Sequence, residues 1–343
     1  MRQRIELEVA GNEASDLLAV QDKGVLAAHR ASRAFWTVLD EGPAEECLAL
    51  LGQRADGDWF AHHQRVDAGA ETGRTEDGES LAHRDGWVYV IGSHFGSKRG
   101  PLRPRRAFVG RFREADAAHG TASLVLVRNQ FRLHRAINDA LRDSGVSVID
   151  GGEQIREQFL RATIDRGTEK GKAWVKRLSL DDLPINVEGA AFTAAGTLLL
   201  ALRFPVSSAG EPLLVELSDI EGMFADEQRW PQVAGVYVLS GVTPPGTLTG
   251  LRALSARADG SFDAVVGSID ALDKQSTLLA EHPQGGTVTN THVRFRLPVD
   301  GVRATGRVVV DLAPLHQVEG VAELDGVVHY VVDEDHRIQL FHT

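Results

Sequence analysis

The chain has 343 residues, of which 43% are apolar and 25% charged, and it carries a formal net charge of −11. The lone Cys47 excludes an intramolecular disulfide framework, and no run approaches the roughly 18 apolar residues of a membrane helix. We therefore expect a soluble, cytoplasmic protein without a membrane partner, and the acidic balance disfavours nucleic acid.

In chain order, the segment RIELEVA (residues 4–10) reads as a strand, followed by FWTVL, WVYVIG, AFVGRF and SLVLV, each four to eight residues long and bounded by Gly, Pro or Asp. Helical spacing then appears from Phe131 to about Asp143, where Leu133, Ile137 and Leu141 recur every fourth residue, and again from Glu153 to about Ile164. Beyond this the chain returns to strands: TLLLALRF, LLVEL, GVYVLSG, DAVVGSI, VRFRLP, RVVVDL, VVHYVV and RIQLF. The pattern predicts an all-β fold with one helical insertion at residues 129–170.

The strands repeat. VEGAAFTAAGTLLLALR (187–203) and VEGVAELDGVVHYVVDED (318–335) share V-E-G-x-A, a turn and an apolar strand ending in a polar residue; DGESLAHRDGWVYVIGSH (77–94) is a third copy. Looser copies begin near Arg252 and end at Asp40. Approximate units at intervals of roughly 60 residues predict a single β-propeller spanning 1–343, with five blades and the helical insertion in the second. A sixth blade within Ser261–Leu312 is the alternative count. The last unit lacks one strand, which residues 4–10 can supply by pairing with the C-terminal strand.

In a blade, the start of the first strand and the end of the second lie at one face. Glu79, Glu188 and Glu319 begin first strands, while Ser93, His94, Arg203, Ser268, Asp270, Asp333 and Asp335 close second strands, so all should line one channel mouth. Three carboxylates there, with Asp333, suit a hard divalent cation such as Ca²⁺; the alternative is that each Glu accepts backbone N–H groups of the next blade as a structural latch. Between Lys98 and Arg113, seven cations occur in sixteen residues without an acid. The expectation is an anion-binding hairpin over the mouth, with Lys98, Arg103, Arg105 and Arg106 joined by Ser93, Arg203 and Arg252.

Three segments, YVIGSHFGSKRGPLRPRRAFVGRF (89–112), INVEGAAFTAAGTLLLALRFPVSSAGEPLLVEL (185–217) and VEGVAELDGVVHYVVDED, together resemble an uncharacterised bacterial family catalogued as domain of unknown function 3616. That resemblance implies a propeller-like fold and no known reaction. The E-G strand starts are more distantly similar to the gluconolactonase and senescence-marker propellers, in which axial carboxylates hold a divalent metal.

Two functions follow as expectations. The first is a binding or scaffold propeller that recognises a small anionic ligand or an acidic protein partner at the funnel mouth. The second is a metal-assisted hydrolase or lactonase, with the Glu ring holding the ion and His94 as general acid or base. No nucleophile elbow, P-loop or zinc motif is present to decide between them.

Overall fold

The structure is a computed structural model that describes residues 3–9, 13–39, 42–271, 275–286, 288–334 and 337–342, without the side chains of residues 3, 333 and 334. Its strands form five main antiparallel sheets. In spatial order, sheet 1 comprises Ala14–Ala19, Arg33–Leu39, Leu48–Gln53 and Trp59–Gln64, and sheet 2 comprises Gly78–Arg84, Trp87–Gly92, Phe108–Arg113 and Val125–Arg128. Sheet 3 runs Asn186–Phe192, Leu198–Val206, Pro212–Ser218 and Gln232–Ser240, with the short parallel strand Arg303–Thr305 at its edge. Sheet 4 runs Gly250–Ala256, Phe262–Gly267, Thr291–Phe295 and Arg307–Asp311. Sheet 5 runs Val318–Leu324, Val327–Glu334, Arg337–His342 and, from the other end of the chain, Gln3–Leu7.

Alternation of apolar residues on both faces of these strands requires each sheet to be covered on two sides. Every neighbouring pair meets that demand with its own apolar cluster. Trp36 and Leu50 of sheet 1 pack with Leu81 and Phe112 of sheet 2; Tyr89 and Ile91 of sheet 2 pack with Val187 and Leu200 of sheet 3. Leu199 and Leu214 of sheet 3 pack with Leu254 and Ala264 of sheet 4; Ala253 and Val265 of sheet 4 pack with Val321 and Tyr330 of sheet 5. The cycle returns through Val331 and Leu340 of sheet 5 against Leu17 and Phe35 of sheet 1. The first strands of the sheets are neighbours in the same cyclic order.

Each first strand also carries a register irregularity at one polar position. The shifts fall between Ser15 and Leu18, Gly78 and Ser80, Val187 and Gly189, Leu251 and Ala253, and Val318 and Gly320. The residues skipped by the ladder include Asp16, Glu79, Glu188, Arg252 and Glu319. A β-bulge leaves one residue unpaired and re-aims its side chain, so the repeated polar position of the sequence is a repeated bulge. The glycine after Glu188 and Glu319 has a steric reason: a Cβ on Gly189 would lie 2.7 Å from Leu254 N, and one on Gly320 would lie 2.7 Å from the Asp16 carbonyl carbon.

The helices Arg132–Asp143, Gly152–Ile155 and Ala162–Glu169, the last two joined through a π-helical turn at Arg156–Arg161, lie in the expected segment. They follow Val125–Arg128, the fourth strand of sheet 2, and thus stand between sheets 2 and 3 rather than within the second repeat. Among the described residues no helix is long and apolar enough to cross a membrane.

The terminal strands pair antiparallel, with Arg4 opposite Phe341 and Leu7 opposite Ile338; Ala10, at the end of the expected strand, lies outside the described residues. Deleting residues 1–9 should lower stability by about 3 kcal/mol or more from the lost burial of Ile5 and Leu7 alone. Chemical denaturation should register this as a shift of one cooperative transition; a separate early transition would mean that the terminal strand frays independently.

Candidate functional site

The five sheets converge on a cavity of about 340 Å³. Its walls include Glu13 beside sheet 1, Glu79 of sheet 2 with Asp77 just before it, Asn186, Glu188 and Arg203 of sheet 3, Asp270 beyond sheet 4, and Glu319 of sheet 5 with Gln317 just before it. Lys98 and Arg106 enter from the segment after sheet 2. Glu79, Glu188 and Glu319 thus reach one cavity, as their equivalent repeat positions require.

The guanidinium groups are already engaged. Arg203 Nη1 lies 3.2 Å from Glu188 Oε1, and its Nε donates to the Ser268 carbonyl at 3.2 Å. Arg252, 3% exposed, pairs with Glu319, which also accepts from Ser15 Oγ at 3.2 Å. Arg106 Nη1 lies 2.8 Å from Asp77 Oδ2, and the Ser93 hydroxyl donates to the same carboxyl group. Asn186 Nδ2 donates to Glu188 Oε1 at 2.8 Å, whereas its Oδ1, buried, finds no donor among the described residues.

Burial pushes the Asp77 carboxyl up to about 6, outweighing the opposing Arg106 charge, and nearby Glu188 and Glu76 add to the rise. Burial likewise raises Glu188 above the ordinary carboxyl range against the pull of Arg203, with Glu319 contributing repulsion. Asp77 and Gln317 each precede a first strand in the left-handed backbone region, at φ 65° and 53°. Such non-glycine residues cost about 1 kcal/mol or more unless their surroundings hold them. Both line the cavity.

The basic segment differs from a projecting hairpin. Gly96 bridges Leu102, and the loop lies under the helices, with Leu102 N donating to Thr163 Oγ1 at 2.8 Å and Thr277 N donating to the Lys98 carbonyl at 3.0 Å. Arg103 pairs with Glu76 at 3.1 Å, and Arg105 donates to the Gly73 carbonyl. Arg111 and Arg113 stack on Trp87, at 4.5 and 4.1 Å from its ring centroid. Of the cations in the basic run, only Lys98 and Arg106 reach the cavity wall, where Arg203 of sheet 3 joins them. The acids that pair with this run, Glu76 with Arg103, Asp77 with Arg106 and Glu221 with Arg111, come from other parts of the chain and leave no mark on the basic run itself.

His94 also departs from expectation. It is fully buried behind the wall at φ 60°, with Nδ1 2.7 Å from the Gly92 carbonyl and Nε2 accepting from Asn129 Nδ2 at 2.7 Å. Burial lowers its pKa to about 4. Both nitrogens are occupied, and the residue is absent from the cavity lining. Ser93, 1% exposed, contributes through Asp77.

The metal expectation meets a chemical obstacle. Glu188 and Glu319 each commit an oxygen to a guanidinium group, and that positive charge repels a divalent ion at the same carboxylate. Among the described residues no group of three His, Cys, Asp or Glu is placed to hold a metal ion. The Asp333 side chain, Asp335 and Asp40 lie outside the described residues. With Glu188 and Glu319 so paired, the described residues do not fit the ion.

The alternative of a carboxylate latch is realised at a residue the sequence reading left out. Asp16, completely buried, accepts from Leu17 N at 2.8 Å and from Leu81 N of the next sheet at 2.7 Å. Its signal was present as a short acid at the start of a first strand, at the place where other repeats carry Glu.

No family model matches the chain, so the resemblance to domain of unknown function 3616 has no counterpart there, and no curated protein matches it. Similar solved structures include a β-1,3-galactosidase of glycoside hydrolase family 43 with galactodeoxynojirimycin, at 10% identity over 96% of this chain and 90% of that one, TM-score 0.46. An arabinanase from Bacillus subtilis is 11% identical over 97% and 94%, TM-score 0.41. A mannose phosphorylase from Leishmania mexicana in complex with phosphate ion is 10% identical over 98% and 87%, TM-score 0.41. Likeness at this level assigns neither residues nor activity to this chain.

Two stability predictions follow from these buried groups. Asp16→Ala should cost about 2 to 5 kcal/mol, because it strands two backbone N–H groups, and Asp16→Asn should cost less, since Asn keeps one acceptor and tolerates the left-handed φ of 60°; urea titration of both variants checks the order. The depressed pKa of His94 contributes stability that is present above pH 6.5 and lost as pH falls toward 4. His94→Gln should therefore reduce the slope of stability against pH in that window by up to one proton. His329, lowered to about 4 by its own burial, should retain its share of the slope.

Proposed function

We propose that the five sheets are the blades of a β-propeller and that the cavity where they converge binds a small, uncharged or amine-bearing ligand rich in hydroxyl groups. The observation that carries this reading is the balance of the walls. Among the described residues six carboxyl groups, Glu13, Asp77, Glu79, Glu188, Asp270 and Glu319, face three cations, Lys98, Arg106 and Arg203. Carboxyl groups therefore outnumber cations on the wall, and Asn186 Oδ1, without a donor among the described residues, adds an acceptor. A ligand supplying O–H or N–H groups completes this set. An anion, the ligand expected from the basic segment, would have to compete with Asp77 for Arg106 and with Glu188 for Arg203, leaving buried carboxylates without their partners. A volume of about 340 Å³ sits at the lower end of ligand pockets and suits a single sugar-sized ring.

A matched series tests the charge directly. Titration calorimetry at pH 7 with glucose, glucosamine and glucose 6-phosphate should give heats for the first two and weakened or no binding for the phosphate, and Glu188→Gln should weaken what binds. Tightest binding of the phosphate would return the site to an anion receptor built on Lys98, Arg106 and Arg203. Binding of none of the three would remove the ligand class.

A hydrolytic reading is supported by one separate feature: Asp77 holds its proton up to about pH 6 beside a second carboxyl group, Glu188, in the same cavity, a pairing that suits a proton donor next to a carboxylate. On this reading, turnover of activated aryl glycosides or of a sugar lactone declines above pH 6 as Asp77 ionises. Asp77→Asn, which also accepts a left-handed backbone, should lower the rate about 100-fold or more. A rate unaffected by the substitution removes Asp77 from any reaction.

A further inference from the structure

Away from the cavity, the outer strand of sheet 4, Arg307–Asp311, presents a surface whose chemistry identifies its own partner. The strand pairs on one side with Thr291–Phe295 and, among the described residues, ends the sheet on the other. Val308 is 50% exposed and Val309 38%, and the adjoining loop exposes Val299 at 98% and Val302 at 38%. Of the six exposed large apolar side chains among the described residues, these four lie within eleven consecutive positions. The register shift between His292 and Val293 leaves Val309 outside the ladder, which accounts for two successive valines facing solvent. The outer strand of sheet 5 offers a contrast, since Arg4 and Glu6 place charges along it; edges are ordinarily blunted in that way.

The sequence of this edge, Arg-Val-Val-Val-Asp, has charge symmetry about its centre. Antiparallel pairing of two copies about Val309 sets Arg307 of each against Asp311 of the other and Val308 of each against Val310 of the other. Opposite charges directly across a strand pair stabilise it, and like charges oppose it. A two-fold axis through Val309 sets opposite charges together at both ends at once, as an isologous contact requires, and removes the exposed valines from water. A chain of unrelated sequence has no reason to carry the complementary order.

We propose that the protein forms a two-fold homodimer in which the Arg307–Asp311 strands of two copies pair antiparallel. The proposal is independent of the ligand assigned to the cavity.

Sedimentation equilibrium from 1 to 100 µM, as concentrations on the order of the affinities common for modest interfaces, tests it with the intact chain. Wild type should sediment as a monomer–dimer mixture shifting to dimer. Val309→Lys should be monomeric throughout with an unchanged melting temperature, because the side chain is exposed in the monomer. Arg307→Asp and Asp311→Arg should each weaken self-association by about tenfold or more. An equimolar mixture of those two variants should recover dimer, since each copy then offers the charge the other needs. A wild type that stays monomeric at 100 µM overturns the proposal. So does a dimer that survives Val309→Lys, or one whose charge variants fail to complement when mixed.

Discussion

A bulge in each first strand carries a charged side chain into the interior, and the placement of Asp16, Glu79, Glu188, Arg252 and Glu319 constrains everything around them. Removing an ion from water is tolerable only with a close partner and satisfied hydrogen bonds. Several of these partners lie across sheet boundaries. Asp16 of sheet 1 receives Leu81 N of sheet 2; Glu319 of sheet 5 receives Ser15 of sheet 1 and Arg252 of sheet 4; Arg203 of sheet 3 reaches the Ser268 carbonyl beyond sheet 4. At the remaining boundary Val187 N donates to the Ser93 carbonyl at 2.9 Å. Apolar clusters hold neighbouring sheets together, but burial is non-directional. The polar links fix how far one sheet slides along the next.

The arrangement of strands was legible because its signals are local. Short apolar runs, turn residues and the recurring V-E-G pattern depend on neighbours in sequence, and the place of Glu188 and Glu319 at one cavity follows from counting along the repeat. Asp16 holds the same structural position but escapes that count, since it is a shorter acid, whereas Arg252, where a looser copy begins, holds the position with the opposite charge. A bulge asks for a polar side chain that can find a partner and does not dictate its sign. The position of the helices between two sheets was hidden for a related reason: whether Val125–Arg128 belongs to the preceding sheet depends on pairing with Phe108–Arg113, a contact that local spacing does not specify.

The functional residues were less legible, because a run of like charge says nothing about what faces it. Lys98 to Arg113 looks like an anion trap until Glu76, Asp77, Glu221 and the ring of Trp87 are placed against it. His94 sits at the end of a second strand as its spacing demands, yet a left-handed backbone and two hydrogen-bond partners hold it behind the wall. In both cases the sequence located the right end of the sheet and misread which atoms remain available there.

The helical segment, which could be taken for an ornament on the fold, is part of the site's electrostatics. Phe131, Phe159 and Leu160 from that segment pack with Phe95 and Leu102 of the loop, with Phe204 near the end of the second strand of sheet 3 and with Ile269 beyond the second strand of sheet 4. This apolar layer lies over the same ends of the sheets from which Asp77 and Arg203 project. Excluding water there raises the cost of ionising a carboxyl group while strengthening every ion pair that does form. A single cause therefore accounts for two opposite effects in one cavity: the elevated pKa of Asp77, and the commitment of Arg106, Arg203 and Arg252 to side chains of the protein itself. The arginines are thereby committed to making the acids of the wall tolerable, and Asn186 Oδ1, without a donor among the described residues, is the acceptor on which the proposed ligand reading draws.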